Sequence, residues 1–461
     1  MSHNAEFTVT SPVDGSVYLT CSYATDAQIG EAVARAQRAL IGWKATPLAE
    51  RMAVVLRFSE EMKKNATALA QAVSWQMGRP LWQADETPRL HTLGEVLADV
   101  STSTLQQHDY PSDEVVTRFV KPAPTGLHLS ICAWNYPTAM LGYIVSAPLV
   151  AGNVVLLKHS PQTPVIGEIA EAAFVASGGP EGVFQSLHMA HDSAENLIGS
   201  GAINTVNFIG SVAGGRKVHA AAGGTFTSVH LELGGKDPTY IRADADIAAL
   251  VPEIAEGCYS NSGQSCCSVE RIYVDQAVHD DFVDALVAET AKWNVGNPFE
   301  GKPQIGPVAR ASAASYIKDQ IAESEAQGAQ RLRGTARHAD GAYVEPEILI
   351  GMDHSMSIMN NELFGPVACI QKTSGDAEAL ALMNDSNYGL SASIWSRDVA
   401  GAMALLNEVD AGTVYLNRCD HSDLHLPWGG VKDSGLGRSN GRVGLASATA
   451  EKSFHIRPRV V

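Results

Sequence analysis

A chain of 461 residues, 45% of them hydrophobic and 18% charged, is long enough to bury two or three cores. Its formal net charge of −17 opposes binding to phosphate backbones, which takes clustered Lys and Arg, so nucleic acid is not an expected partner. Seven cysteines with no C-x-x-C pair argue against a disulfide framework or a zinc ribbon and fit a reducing cytoplasm. Residues 1–10 are polar, and the most apolar region, 131–157, is interrupted by Asn135, Pro137, Pro148 and Asn153, so neither secretion nor a membrane span is expected.

In chain order, residues 8–18 have the alternation of a hairpin that turns at Pro12-Val13-Asp14-Gly15-Ser16. Thr25-Asp26-Ala27-Gln28 reads as a capping box, and Ile29, Val33, Ala36 and Leu40 continue one apolar face at helical spacing. Pro47 suits the first position of a second helix that turns Met52, Val55, Leu56 and Met62 inward. Another helix closes at residues 75–80, and 90–105 is helical again. The β-branched run 115–120 meets Lys121-Pro122-Ala123-Pro124, which cannot donate a full ladder and therefore predicts an edge or a linker.

Residues 127–131, 154–157 and 206–209 read as strands separated by helical stretches, the pattern of βαβ units and a parallel sheet. The runs 271–274, 367–371 and 413–416 repeat that pattern in a second α/β domain, so a cleft between two layers is where a site is expected. No G-x-G-x-x-G follows a strand. Gly210-Ser211-Val212-Ala213-Gly214-Gly215 does follow one, as a tight strand-to-helix turn that could also present backbone N–H groups to a phosphate.

Two stretches hold reactive residue types: Leu231-Glu232-Leu233-Gly234-Gly235-Lys236, and Asn261-Ser262-Gly263-Gln264-Ser265-Cys266-Cys267-Ser268. A cysteine attacks as a thiolate, and clearing its adduct with water needs a base, roles that Cys266 and Glu232 can fill. By residue type alone Cys266 reads rather as a buried structural thiol, as Cys267 is expected to be, and Glu232 as a solvated or paired carboxylate.

With Cys266 placed 34 residues after Glu232, these stretches resemble the aldehyde dehydrogenase superfamily. Further matches follow in order: Ala133-Trp134-Asn135-Tyr136-Pro137, Lys158-His159-Ser160-Pro161, Phe208-Ile209-Gly210-Ser211, Asn361-Glu362-Leu363-Phe364-Gly365-Pro366-Val367, and Trp428-Gly429-Gly430-Val431-Lys432-Asp433-Ser434-Gly435. They span nearly the whole chain. The resemblance implies an α/β fold with a Rossmann-like dinucleotide-binding domain (1–104 and 125–234), a catalytic α/β domain (235–435) and a small β oligomerisation arm (105–124 and 436–461). In that arm a C-terminal strand, about 452–461, joins the 115–124 segment, and a homodimer or homotetramer follows.

The same resemblance assigns Cys266 as nucleophile, Asn135 with the Cys266 backbone N–H as the oxyanion site, and Glu232 as the base that hydrolyses a thioester. For NAD it implies Lys158 on the adenosine ribose, Gly210 and Ser211 on the pyrophosphate, Glu362 on the nicotinamide ribose, and Ile131, Trp134, Leu233 and Phe364 along the groove. Pro161 stands where relatives that prefer NAD often carry a glutamate, so NADP is expected to be tolerated, with His159 and Ser160 near its extra phosphate. Asn361 stands where a glutamate is common.

For the aldehyde, Tyr136, Met140, Tyr143 and Trp428 would form an apolar and aromatic tunnel, with Ser265 beside the nucleophile. The loop Arg418-Cys419-Asp420-His421-Ser422-Asp423-Leu424-His425 carries two histidines four apart, a pattern zinc uses. Loops before this Trp-Gly-Gly motif line the substrate entrance in the superfamily, so a substrate role for His421 is expected and no metal. Arg418, His421 or His425 suits a carboxylate tail, Asp420 or Asp423 an ammonium tail, and the charges leave both open. The alternatives are a cofactor-independent cysteine hydrolase and a catalytically idle protein of the same fold.

Overall fold

The computed structural model describes residues 5–333 and 341–457. Helices cover two large sheets. The first has the order Gly435–Leu436, Ser228–Glu232, Thr205–Ile209, Leu127–Ile131, Val154–Lys158, Phe184–Ser186, parallel except for its short first strand. Val154 to Leu157 are 0% exposed, as an apolar run must be when both faces of a parallel strand are covered. From Leu127–Ile131 the chain steps outward first to Val154–Lys158 and later, on the opposite side, to Thr205–Ile209. That reversal opens a crevice beyond the strands' carboxyl ends.

The second sheet has the order Gln330–Arg333, Glu347–Ile350, Val367–Thr373, Val269–Asp275, Asp237–Ile241, Ser391–Trp395, Thr413–Leu416, with only its first pair antiparallel. The strands read from apolar runs all lie in these two sheets, so the expected doubly layered α/β architecture is what the chain adopts. Residues 233–236 are the passage from the last long strand of the first sheet to Asp237–Ile241 of the second.

The N-terminal hairpin pairs Glu6–Thr10 with Val17–Ser22. Thr25 and Gln28 cap the helix Asp26–Trp43 reciprocally, as their spacing predicts. Pro47 sits one position outside its expected place: its ψ of 145 is extended, and the helix Leu48–Lys64 starts after it.

A third sheet has Thr117–Pro124 between Thr449–Ile456 and His108–Tyr110. The proline-bearing strand is thus central rather than an edge. His108–Tyr110 reaches only residues 118–120, so Pro122 and Pro124 lie where the sheet is two strands wide, as their missing donors require. The C-terminal strand starts three residues earlier than expected and ends at Ile456; residues 458–461 lie outside the described residues.

Candidate active site

Glu232 ends its strand, and the chain then crosses to the other sheet through Leu233, Gly234, Gly235 and Lys236. The crossing is tight at its glycines: a Cβ on Gly235 would lie 2.2 Å from the Cys266 backbone carbonyl oxygen, and one on Gly234 2.3 Å from a Glu362 carboxyl oxygen, which would have to swing aside. The Gly235 N–H donates to Glu362 Oε1 at 3.1 Å. Lys236 is buried and paired with Glu270 at 2.6 Å, and Glu270 also accepts the N–H groups of Leu363 and Phe364. This pair pins the Glu362 loop beside the crossing, with Phe364 held at a φ of 55.

Cys266 follows a tight turn in which Asn261 and Ser262 adopt φ values of 52 and 60, strained for residues with a Cβ. The Asn261 amide holds the turn by donating to the carbonyls of Asn135 (3.0 Å) and Gln264 (3.2 Å). Asn135 in turn donates from Nδ2 to the Gln264 carbonyl at 3.1 Å. It is 3% exposed, just before the helix Pro137–Ala151.

Asn135, Glu232 and Cys266 open into one cavity of about 230 Å³, with Trp134, Met140, Gly210, Ser211, Leu233, Glu362 and Phe364 also in its wall. Trp134 and Phe364 meet edge to face at 5.5 Å. Burial pushes the Glu232 carboxyl up to about 7, against smaller downward pulls from Ser439 and Arg438. Burial, with the Glu270 carboxylate nearby, pushes Glu362 up to about 8. Buried carboxyls at one site thus titrate near neutrality, where a general base works best.

The remaining expected residues lie around this cavity without lining it. Ile131 and Lys158 are register partners at the ends of adjacent strands. Lys158 is 2% exposed; burial pulls its ammonium down to about 8, and no carboxylate among the described residues offsets this. Pro161 lines a different groove, with the N-terminal hairpin and Arg310. His159 does not meet the expectation of a phosphate contact. Its ring nitrogens face the Pro137 carbonyl and the Thr163 hydroxyl, and burial pulls it down to about 4, so it is neutral and engaged.

On the far side of Cys266, Asp420 accepts from Cys267 Sγ (2.9 Å) and Ser265 Oγ (3.2 Å), and burial pushes its carboxyl up to about 7. The Tyr136 ring lies 4.1 Å under the Arg79 guanidinium. The Tyr143 hydroxyl accepts from Arg89 Nε, and Tyr143 lines a small space behind Glu232. Trp428 packs with Cys267 and Leu390, with Cys266 at the border of that cluster. His421 is half-buried near Arg418 and Arg89, and its carbonyl accepts the Tyr415 hydroxyl. His425 is exposed beside Asp423. Among the described residues the one group of three metal-capable donors is elsewhere, at Cys21, Glu168 and His188.

Arg79, Glu86, Asn261 and Glu270 were not foreseen as parts of this site. Arg79 sits between Gly78 and Pro80, where a helix end accounts for it locally, and only the folded chain reveals its partners.

The residues present fit a dinucleotide. The cavity lies beyond the strand ends beside the reversal of strand order, and the helix Val212–Ala222 begins there, Ser211 capping the Gly214 N–H. A Cβ on Gly210 or Gly214 would strike the Phe208 ring at 2.7 or 2.8 Å, so the chain stays close and bare at that turn. Lys158 without a counter-charge, the Ser211 hydroxyl and the Glu362 carboxyl are the donor and acceptor types that phosphates and riboses need.

A thiol, a side-chain amide and a near-neutral carboxyl in one cavity, next to a groove suited to a dinucleotide, are the parts of an enzyme that works through a covalent sulfur adduct at a carbonyl carbon. The model of the aldehyde dehydrogenase family matches residues 1–454, and the chain belongs to that family. A succinate-semialdehyde dehydrogenase (NADP(+)) of Deinococcus radiodurans is 31% identical over 454 residues, covering 98% of this chain and 95% of that protein. A vanillin dehydrogenase of Pseudomonas fluorescens is 33% identical, covering 95% of this chain and 92% of that one. The crystal structure of an aldehyde dehydrogenase from Brucella melitensis biovar abortus 2308 has a TM-score of 0.95 at 28% identity, covering 99% of this chain and 95% of that chain.

Proposed function

We propose that this protein oxidises an aldehyde to its carboxylic acid with NAD or NADP, through a thioester on Cys266 that Glu232 hydrolyses. The observation that carries the reading is the single cavity shared by Cys266, Asn135 and Glu232. The Cys266 thiolate forms a C–S bond to the carbonyl carbon. The oxyanion that develops is met by the Asn135 amide proton not engaged by Gln264, together with the Cys266 N–H. A nicotinamide dinucleotide, when bound, supplies the acceptor for the hydride that this carbon loses. Glu232 then takes a proton from water as that water attacks the thioester, the C–S bond breaks, and the acid and the thiolate separate.

Lys158 and Glu362 would hold the riboses, Ser211 and the bare turn at Gly210 the phosphates, and Ile131, Trp134, Leu233 and Phe364 the apolar edges of the groove. NADP is accepted as well as NAD, because no carboxylate beside Lys158 among the described residues neutralises it or repels a 2′-phosphate. Tyr136, Met140, Tyr143, Ser265, His421 and Trp428 surround the aldehyde's path. A cofactor-independent Cys/His hydrolase lacks support, since among the described residues no histidine lines the Cys266 cavity.

Residues 1–104 with 125–234 form the dinucleotide-binding part, 235–435 the catalytic part, and 105–124 with 436–461 the arm through which copies associate. The seven cysteines are free, which suits the cytoplasm, and no helix among the described residues is long and apolar enough to cross a membrane. The test is a panel of aliphatic, aromatic, carboxylate-tailed and ammonium-tailed aldehydes, each with NAD and with NADP, read at 340 nm. Absorbance should grow with some member of the panel; a flat trace for all of them with both nucleotides would sink the reading.

A further inference from the structure

Arg79 is an arginine in the protein interior, 4% exposed, outside the motifs that carry the reaction. Its planar fork is spent on three acceptors: Nε donates to Asn261 Oδ1 at 2.9 Å, Nη1 to Glu86 Oε1 at 2.5 Å, and Nη2 to the Asn135 carbonyl at 2.7 Å. Its face covers the Tyr136 ring at 4.1 Å. Glu86 uses its other oxygen to accept the N–H groups of Thr138 (2.9 Å) and Ala139 (2.8 Å), the first turn of the helix Pro137–Ala151. The backbone around Asn135 is therefore held from one side through its carbonyl and from the other through the amides that follow.

The hold extends to the nucleophile. Asn261, aligned by Arg79, donates to the same Asn135 carbonyl and to the Gln264 carbonyl, which also receives the Asn135 amide. Arg79, Asn261, Asn135 and Gln264 thus close a ring of hydrogen bonds between the segment that carries the oxyanion donor and the turn that carries Cys266. A buried ion pair seldom stabilises a fold more than apolar residues of the same volume would, so stability alone does not account for this one. An ammonium offers a point charge and cannot reach three acceptors in one plane while stacking on a ring.

We infer that Arg79, braced by Glu86, is a positioning residue of the reaction: it sets the direction of the Asn135 amide relative to Cys266. The inference rests on the reading of Asn135 as oxyanion donor, and the two can fail separately. A misplacement of about 1 Å in a catalytic donor costs on the order of 10²-fold, so R79K and R79M should lower kcat by roughly 10- to 10²-fold. KM for the nucleotide should stay as in the parent enzyme. The alkylation of Cys266 by iodoacetamide passes through no oxyanion, and its rate should fall by much less than kcat in both variants.

The decisive comparison is a double-mutant cycle with N135A, in which R79K should cost nothing further once the amide it positions is gone. An R79K enzyme with parental turnover overturns the inference. So does an equal loss on the N135A background, or a parallel loss of alkylation rate, since either marks a purely structural arginine. N135A with parental turnover overturns instead the assignment of the oxyanion donor. If R79M does not fold, R79K, which keeps the charge, carries the test alone.

Discussion

Glu232 ends its strand with a carboxyl that burial has moved to about 7, and in the proposed mechanism this sets the pH behaviour of the hydrolytic half of the reaction. Below that pH the group is protonated and cannot take a proton from water; above it the group is ionised and can. Thioester hydrolysis should therefore fall away as pH drops through about 7, while formation of the thioester continues. With E232Q that pH dependence should vanish and mass spectrometry should find the acyl group retained on Cys266; rapid turnover by E232Q would remove it from the mechanism. Glu232 and Cys266, which the structure brings to one cavity, stand out in the sequence because the motifs around them are contiguous. Arg79 does not, since the Asn135 and Asn261 atoms it binds are 56 and 182 positions away and nothing local encodes them. The engagement of His159 is hidden for a related reason: a histidine after the strand-end lysine looks available until the helix carrying Pro137 closes over it.

Elements whose pattern depends on neighbours in the chain were read well. The Thr25 capping box and the apolar strands of the first sheet follow from local spacing, and the structure has them where the spacing places them. The strand Thr117–Pro124 was harder, because its prolines indicate an edge while its first half has strands on both sides. The crossing at residues 233–236 shows what two glycines do when they are needed for approach rather than for a turn. Replacing Gly235 by Ala puts a methyl group 2.2 Å from the Cys266 carbonyl oxygen, so the nucleophile's backbone has to move. G235A should retain its circular dichroism and lose turnover by about 10²-fold or more. Parental turnover in G235A would mean that the contact is not held in solution.

At the scale of the molecule, the third sheet is three strands joined by one eight-residue pairing and one of three residues, with Tyr110 and Ile456 exposed at 55% and 44%. Isolated chains rarely leave such a sheet uncovered, and a second copy of this chain is the occupant proposed above. Truncation after residue 448 should lower the mass found by light scattering from that of a dimer or tetramer to that of one chain; an unchanged mass would move the interface elsewhere. The presence of two large sheets was readable from alternating strands and helices. Their relative placement was not, because the hydrogen bonds that join them, such as those from Asn135 to the Gln264 carbonyl and from Asn261 to the Asn135 carbonyl, bring together segments far apart in the chain.

The four residues that join those sheets also act as a ruler. Four residues reach at most roughly 13–14 Å, so the base at one end and the wall of the nucleophile at the other are spaced by covalent bonds, independently of how tightly the two halves pack. Any breathing that admits aldehyde or releases acid is limited by this tether and by the longer return of the chain from Thr413–Leu416 to Gly435–Leu436. Gate motion and chemical alignment are thereby separated, and agents that loosen the packing should alter the rate of exchange before they alter the geometry at sulfur.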